Sequence, residues 1–434
     1  MSSELFGTDG IRGPAGTYPL DETGMTQIGK AVGSYFTHPD ERILVGWDPR
    51  ESSESLVASL VKGLVAMGVD VCRVGVIPTP GLAWLTKTRQ AKAGVIVTAS
   101  HNPYTDNGVK IFTPDGRKLS DGAQKGLNEL IAGKIEVRSP GKVNDDPRAV
   151  TDYEDFLAES AHSILFKELR IAIDSANGAT SGIAARVFDR LGAQVIPLFD
   201  QPDGRNINVR CGATDTSTLR TTVKKQKLTA GIAFDGDGDR VMLVDGKGRE
   251  LSGDQILYIL AVAGKQEGVV ATIMSNQGLE TSLGRYDIGF HRTAVGDRAV
   301  LQGLDETGFR LGGEQSGHII ISEHASTGDG LLAAIQTLSL VLESGKPLEA
   351  WYDELVLVPQ ALINVPVQDK SMLERPDVRD FIKQETAALG DTGRLSIRPS
   401  GTEPKVRVMV EALDAEARAQ SIAHQLIQLF KEGS

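Results

Sequence analysis

A chain of 434 residues is too long for one ordinary hydrophobic core and predicts about three domains, within a range of about two to four. Its 40% hydrophobic and 24% charged residues are those of a globular protein and exclude a disordered or fibrous chain. The net charge of −11, with no Lys/Arg-rich run to offset it, excludes general nucleic-acid binding, which needs a basic patch along the phosphate backbone. Anionic ligands must therefore meet local basic clusters.

The chain opens on MSSELFGTDG, which lacks a basic stretch followed by an apolar one. No apolar run reaches the roughly 18 residues that a membrane span needs. A protein neither exported nor membrane-spanning is expected, in the cytoplasm. Cys72 and Cys211 lie far apart and fit no metal spacing, which predicts buried thiols rather than a disulfide or a nucleophile.

Short apolar runs then alternate with segments of helical period: 43–47, 53–67, 69–74 and the stretch after Pro80, again at 169–174, 180–191, 193–198, 216–225 and 229–234, and again from 269–274 onward. This is an α/β pattern. Polar stretches with glycine or proline at 139–148 and 246–253 read as joints. After Trp351 the character changes: runs at 362–367, 394–398 and 405–411, with helical periods at 378–389 and 415–430, predict a smaller α+β domain with antiparallel strands. The expected domains are 1–150, 151–252, 253–360 and 361–434.

Along this frame the first chemistry-bearing stretch is TASHNPYTDNGVK, 98–110, which follows an apolar run. A loop after a buried strand is where α/β proteins place reactive groups, so Ser100 is a candidate nucleophile and His101 a candidate proton carrier or phosphate partner. An Asn-Pro turn with Ser100 as a capping hydroxyl is the plainer alternative. A serine hydrolase is disfavoured, because no G-x-S-x-G elbow occurs. If the chain is extended here, Ser100 and His101 face opposite sides and need not pair.

FDGDGDR, 234–240, places Asp235, Asp237 and Asp239 around two glycines. Two like charges about 4 Å apart repel by roughly 4 kcal/mol at an effective dielectric near 20, so three converging carboxylates ask for a cation. In extended chain their oxygens would converge on one side, and hard oxygen ligands favour Mg²⁺ or Ca²⁺. A calcium EF-hand is excluded: it needs Gly at its sixth position and Glu at its twelfth, where this chain has Arg240 and Gly246. A solvated acidic turn remains the bland reading.

GGEQSGH, 312–318, flanks Glu314, Gln315, Ser316 and His318 with glycines. If it is extended, Glu314 and Ser316 share a side and offer an acceptor and a donor to neighbouring sugar hydroxyls; a plain polar hairpin is the alternative. GDGLLA, 328–333, formally matches a dinucleotide pattern, but no strand ends directly before it, so Asp329 reads as a helix start. Every Gly-Lys pair lacks the following Ser or Thr of a Walker loop, which excludes a P-loop hydrolase. RPSGTEPKVRV, 398–408, gathers Arg398, Ser400, Gly401, Thr402 and Arg407 at a tight loop. Forked guanidinium donors, hydroxyls and an approachable backbone suit a phosphate, although a Ser-Gly turn with solvated arginines would look the same.

Together, FGTDGIRG at 6–13, TASHNP at 98–103, DGDGDR at 235–240, GEQSGH at 313–318 and RPSGTEP at 398–404 resemble the α-D-phosphohexomutases, in order and over almost the whole chain. Gln315 within GEQSGH, and VGDR at 295–298, are similar to the phosphoglucosamine mutase subclass. In one departure the chain reads VRCGATD, with Asp215 where many of that subclass carry histidine.

The resemblance implies four domains around a central cleft, three mixed-sheet α/β domains and a smaller C-terminal α+β domain. It implies a phosphoserine at Ser100, with one Mg²⁺ bridging Ser100, Asp235, Asp237 and Asp239. Arg12, His101 and Lys110 would then neutralise the phosphoryl group, His318 and Lys110 would be candidates for proton transfer, Glu314 and Ser316 would grip the sugar, and Arg398, Ser400, Gly401, Thr402 and Arg407 would bind its phosphate. The implied reaction interconverts glucosamine 6-phosphate and glucosamine 1-phosphate through a bisphosphate, feeding UDP-N-acetylglucosamine synthesis. Glucosamine or glucose 1,6-bisphosphate would act as primer, and a homodimer is a family expectation. A phosphoglucomutase or phosphomannomutase of the same mechanism is the rival enzyme. A phosphosugar-binding regulator that has lost catalysis is the rival from another class, but its serine or an aspartate would be expected to be damaged, and all are intact.

Overall fold

The computed structural model describes residues 5–7, 9–36, 42–161, 166–367, 369–390, 393–399 and 405–432. The first sheet is built from β1 (Ile11–Pro14), β2 (Arg42–Trp47), β3 (Asp70–Val76), β4 (Ala93–Val97), β5 (Asp106–Phe112) and β6 (Val143–Asp145) in the order β1-β5-β4-β2-β3-β6. Strands β4, β2, β3 and β6 run parallel, while β5 runs antiparallel to both β4 and β1. Helices α1 (Glu22–Phe36), α2 (Ser53–Val65), α3 (Thr79–Thr88) and α4 (Asp121–Ala132) join the strands. Strand β4 reads AGVIV and is buried throughout, as a central parallel strand covered on both faces must be.

Helix α5 (Ala149–Glu159) leads into the second sheet, β7 (Arg170–Asp174), β8 (Gln194–Leu198), β9 (Ala230–Phe234), β10 (Val241–Asp245) and β11 (Glu250–Leu251), ordered β11-β10-β9-β7-β8 with α6 (Ile183–Arg190) and α7 (Ser217–Gln226) between strands. The third, β12 (Gly268–Thr272), β13 (Gly289–Thr293), β14 (Leu311–Gly313) and β15 (Ile319–Ile321), is ordered β13-β12-β14-β15. Its helices are α8 (Gly253–Ala263), α9 (Gln277–Gly284), α10 (Asp297–Thr307), α11 (Gly330–Ser344) and α12 (Leu348–Glu354). The last sheet, β16 (Gln360–Pro366), β17 (Arg394–Pro399) and β18 (Lys405–Glu411), is antiparallel throughout and carries α13 (Pro376–Leu389) and α14 (Ala415–Glu432). The α/β class with a smaller antiparallel C-terminal unit is thus the observed fold.

One topological device recurs in all four sheets. A strand reverses into an antiparallel neighbour at β4–β5, β9–β10, β14–β15 and β17–β18, and each reversal carries one of the motifs. A reversal needs residues that tolerate turn geometry, which is why Gly, Asn-Pro and Ser-Gly punctuate these segments. The cores show what holds the reversals in place. A single apolar cluster runs from the second sheet to the third, including Tyr153, Phe188, Phe234, Tyr258 and Leu331, whereas the first and last sheets have clusters of their own. Each large buried side chain contributes roughly 1.5–3 kcal/mol, so the second and third sheets are packed as one body.

Candidate active site

Ser100 sits at the end of β4 with φ +52. The left-handed region is strained for a residue with a Cβ, by about 1–3 kcal/mol, and a buried cage holds it there. The Arg50 guanidinium donates to the carbonyls of Ser100 (2.8 Å), Asn102 (2.9 Å), Pro103 (2.5 Å) and Asp106 (3.1 Å). Asp48, fully buried, pairs with Arg50 at 2.8 Å and accepts from Thr98 Oγ1 at 2.7 Å and Ser53 Oγ at 3.0 Å. From the connection between β8 and β9, Asn208 Nδ2 donates to Ser100 O at 2.9 Å. The chain is a turn here rather than extended, so Ser100 Oγ and His101 Nδ1 come within 3.3 Å, where alternation along a strand would have separated them.

The Asp235–Asp239 segment is likewise a turn between β9 and β10, with Gly238 at φ +73, and not the extended run that alternation suggested. The turn still brings carboxylate oxygens of Asp235, Asp237 and Asp239 within 4.8 Å of one another, all buried. Ser100 Oγ donates to Asp235 Oδ2 at 2.6 Å. Burial, then the charges of Asp239 and Asp237, push the Asp235 carboxyl up to about 8. Asp237 Oδ1 and Asp239 Oδ1 are buried without a hydrogen-bond partner among the described residues. Oxygens left bare beside a repelled carboxyl are what a hard divalent cation satisfies, so the donor set fits Mg²⁺.

Cations ring this floor. Lys110, on β5 and buried, reaches Asp237 Oδ2 at 2.7 Å and Asp239 Oδ2 at 3.0 Å. Burial works against its charge, but Asp237, Asp239 and Asp9 outweigh it and hold the ammonium well above the ordinary lysine range. Burial also opposes ionisation of Asp239, and Lys110 followed by His318 holds it well below the usual carboxylate range. Arg12 pairs with Asp9. Burial, with Arg240 and Arg12, pushes His101 down to about 4, so its ring is a neutral hydrogen-bonding group rather than a counterion. For His318, burial lowers the ring while Asp239 and Asp297 raise it, and the net direction is upward. Geometry points the other way: His318 Nε2 accepts the Gly328 N–H at 3.2 Å, which requires that nitrogen to be bare. The hydrogen bond decides, because it leaves a neutral ring with its proton on Nδ1, 3.8 Å from Asp239 Oδ1.

The floor opens into a cleft of about 360 Å³ whose lining includes Asp9, Lys118, Arg240, Glu314, Ser316 and Arg407. Glu314 and Ser316 stand on a turn closed by Gly317 N–H to Glu314 O at 3.0 Å. Glu314 Oε1 accepts from Gly296 N at 3.0 Å, and Ser316 Oγ is buried with no partner among the described residues. Opposite, Arg398 on β17 pairs in register with Arg407 on β18, and both line the cleft. Like charges facing across strands repel. Burial and Arg407 accordingly lower Arg398, and an anion between them would relieve both. Ser400, Gly401 and Thr402 lie outside the described residues. A larger groove of about 770 Å³ among Trp47, Val57, Val74 and Val150 gathers no comparable buried charge; the smaller cleft carries the chemistry.

Several site residues were not singled out from sequence. Asp9 sits inside FGTDGIRG, a motif without an evident task, and Asp48 with Arg50 follows the apolar run of β2. Arg240 ends DGDGDR and Asp297 lies in VGDR, again without an evident task, whereas Thr79, whose Oγ1 donates to Asp237 Oδ2 at 2.6 Å, Asn208 and Lys118 were given no role. GDGLLA is a structural element of the site: Asp329 caps α11 by accepting Leu332 N at 3.0 Å. A Cβ on Gly328 would lie 2.5 Å from the His318 ring, so only glycine lets the ring seat there. Asp215 is a local cap, accepting from Ser217 N and Oγ at 3.2 and 2.6 Å. Cys72 is half-buried, Cys211 is buried, and neither forms a disulfide.

A serine beside three carboxylates, next to a cleft lined by residues as distant in sequence as Asp9, Asp239, Glu314 and Arg407, is matched along the whole chain by known proteins. Residues 3–138, 151–248 and 252–357 match the alpha/beta/alpha domains I, II and III of phosphoglucomutase/phosphomannomutase, and residues 362–429 match its C-terminal domain. A phosphoglucosamine mutase of Thermus thermophilus is 47% identical over 431 residues, 98% of each chain. The chain belongs to the phosphoglucomutase/phosphomannomutase family. Another relative, phosphoglucosamine mutase of Deinococcus radiodurans, is 42% identical over 437 residues, 99% of this chain and 98% of that one. Among solved structures, a phosphoglucomutase/phosphomannomutase family protein from Burkholderia thailandensis superposes with TM-score 0.85 at 25% identity, covering 100% of this chain and 99% of that one. The N-acetylphosphoglucosamine mutase of Aspergillus fumigatus, solved with GlcNAc-6P and magnesium, shares the fold at TM-score 0.69 and 17% identity, covering 99% of this chain and 96% of that one. No helix among the described residues is long and apolar enough to cross a membrane.

Proposed function

We propose that this phosphohexomutase is a phosphoglucosamine mutase, interconverting glucosamine 6-phosphate and glucosamine 1-phosphate by way of a phosphoserine at Ser100. The observation that carries the chemistry is the 2.6 Å contact of Ser100 Oγ with Asp235 at the floor of the cleft. The amino-sugar assignment rests on full-length relatives that bear that name.

Asp235, Asp237 and Asp239 would hold one Mg²⁺, whose chemistry is to draw electron density from the phosphoryl oxygens. The chain's own residues do the rest. Arg398 and Arg407 clamp the distal phosphate with forked donors, and Glu314 and Ser316 orient the ring so that the free hydroxyl faces Ser100. The phosphorus–Oγ bond breaks as the bond to the sugar oxygen forms, giving a sugar bisphosphate and a free serine. The bisphosphate turns over, and its other phosphate returns a phosphoryl group to Ser100. Lys110 and Arg12 spread the developing charge, and a bisphosphate sugar primes a serine that has lost its group. In this reading the four units, 1–150, 151–252, 253–360 and 361–434, each supply one loop.

A coupled assay for glucosamine 1-phosphate, with intact-protein mass measured alongside, tests this. Turnover of the amino sugar in Mg²⁺ and bisphosphate, with one phosphoryl group on Ser100, is expected. A larger kcat/KM for glucose 1-phosphate or mannose 1-phosphate would replace the assigned sugar, and sugar-phosphate binding without turnover would replace the enzyme by a binding protein.

A further inference from the structure

Lys118 has no part in the chemistry just described, yet it is almost wholly buried, its side chain only 7% exposed. It hangs on the same hairpin as Lys110, since Phe112 at the end of β5 bridges to Lys118 after a tight turn. Its ammonium pairs with Asp9 and, at 2.5 Å, with Asp297 Oδ2 at the start of α10. Asp9 also meets Lys110 at 3.3 Å. The residue before Asp297, Gly296, donates its N–H to Glu314 Oε1 at 3.0 Å. An unbroken path therefore runs from the aspartate triad through Lys110, Asp9, Lys118 and Asp297 to the glutamate on the sugar loop.

Other ties join α10 to the hairpin after β5 and to α4. Arg117 meets Asp305 at 2.5 Å, and Arg298 pairs with Asp121, in each case with an exposed carboxylate. Exposed pairs hold position weakly, whereas breaking a buried one strands a charge away from water. The buried tie thus governs how the first sheet meets the third.

We propose that Lys118 is a positioning residue for phosphoryl transfer: clamped between Asp9 and Asp297, it fixes the sugar-gripping Glu314 relative to Ser100. The proposal rests on the mutase reading above. Such a strut matters because the two orientations of the bisphosphate must each bring a phosphate to the same serine, and a misplacement of about 1 Å can cost on the order of 10²-fold in rate.

Steady-state kinetics of wild type, Lys118→Met, Asp297→Asn and the double variant, with melting curves, test it. Lys118→Met should lower kcat by on the order of 10²-fold with KM changed less than about threefold, a split that marks loss of an interaction needed in the transition state. Asp297→Asn should act likewise, and the double variant should be no worse than Lys118→Met alone, because the contact that Asp297→Asn removes is already lost with Lys118. A folded Lys118→Met enzyme with wild-type kcat, a raised KM at unchanged kcat, or losses that multiply in the double variant would overturn the strut. If Lys118→Met does not fold, Lys118→Gln/Asp297→Asn removes one charge of each sign and is judged by the same outcomes. Running the series on glucose 1-phosphate as well separates the strut from the choice of sugar; a wild-type chain that turns over neither sugar overturns both readings.

Discussion

Gly236 stands so close to Ser100 that a Cβ on it would lie 2.5 Å from the serine carbonyl oxygen. The aspartate loop and the serine loop touch through bare backbone at Gly236, next to the Ser100–Asp235 contact. Gly236→Ala must push the loops apart or the carbonyl aside. A drop in kcat on the order of 10²-fold is expected, with a lower melting temperature. Wild-type kcat in the alanine variant would show that the two loops adjust independently.

Arg50 holds the strained serine through four carbonyls, a task that a planar fork of five donors performs and an ammonium with three cannot. Arg50→Lys should destabilise the protein by about 2–4 kcal/mol in denaturant unfolding, since it leaves buried carbonyls and part of Asp48 unsatisfied. Activity should fall further than stability alone accounts for. Unfolding midpoints that match wild type would contradict the cage.

Neutralising one aspartate of the triad should separate stability from function. Asp235→Asn removes a carboxyl that burial and its neighbours disfavour as an anion, so the metal-free variant should melt higher than the metal-free wild type. Mg²⁺ should stabilise wild type by about 2.7 kcal/mol at a hundred times its dissociation constant and the variant far less. Thermal scans with EDTA and with Mg²⁺ give both readings, and an equal Mg²⁺ shift in the two proteins would rule out Asp235 as a ligand.

Asp329 provides a pH test away from the cations. Burial raises its carboxyl to about 6, against hydrogen bonds from Leu332 N and Tyr153 that favour the anion. The folded state therefore holds this proton at pH values where the unfolded chain has released it. Stability is greatest below the ordinary aspartate value and declines as pH rises to about 6, by about 3 kcal/mol in all for this group. Asp174 and Asp254 are also raised to about 6, each by burial first, and contribute the same sign. Asp329→Asn keeps an acceptor for the helix cap and should flatten the decline between about pH 4 and pH 6. An unchanged slope in melting temperature against pH would show that Asp329 does not hold its proton.

The motif loops and the α/β pattern were legible because both are local. A short apolar run such as AGVIV, β-branched and followed by a turn-rich stretch, reads as a covered strand, and glycine, proline and clustered like charges favour particular turns and ligands over a few residues. Extended-chain alternation was the wrong local geometry for Ser100, for the triad and for Glu314 with Ser316, because each stands where a strand doubles back and backbone in the left-handed or turn region replaces the period of two.

What sequence alone determined is the set of chemical parts: the serine, the three aspartates, the GEQSGH loop and the arginines of the last unit, in their order along the chain. Only the tertiary structure decided which charges share one buried volume. Asp9 lies in FGTDGIRG and Asp297 in VGDR, but neither motif shows that they meet, and Lys118 has no motif signal at all. Their pairing follows from packing that excludes water, which makes each charge depend on partners the chain brings in from another sheet.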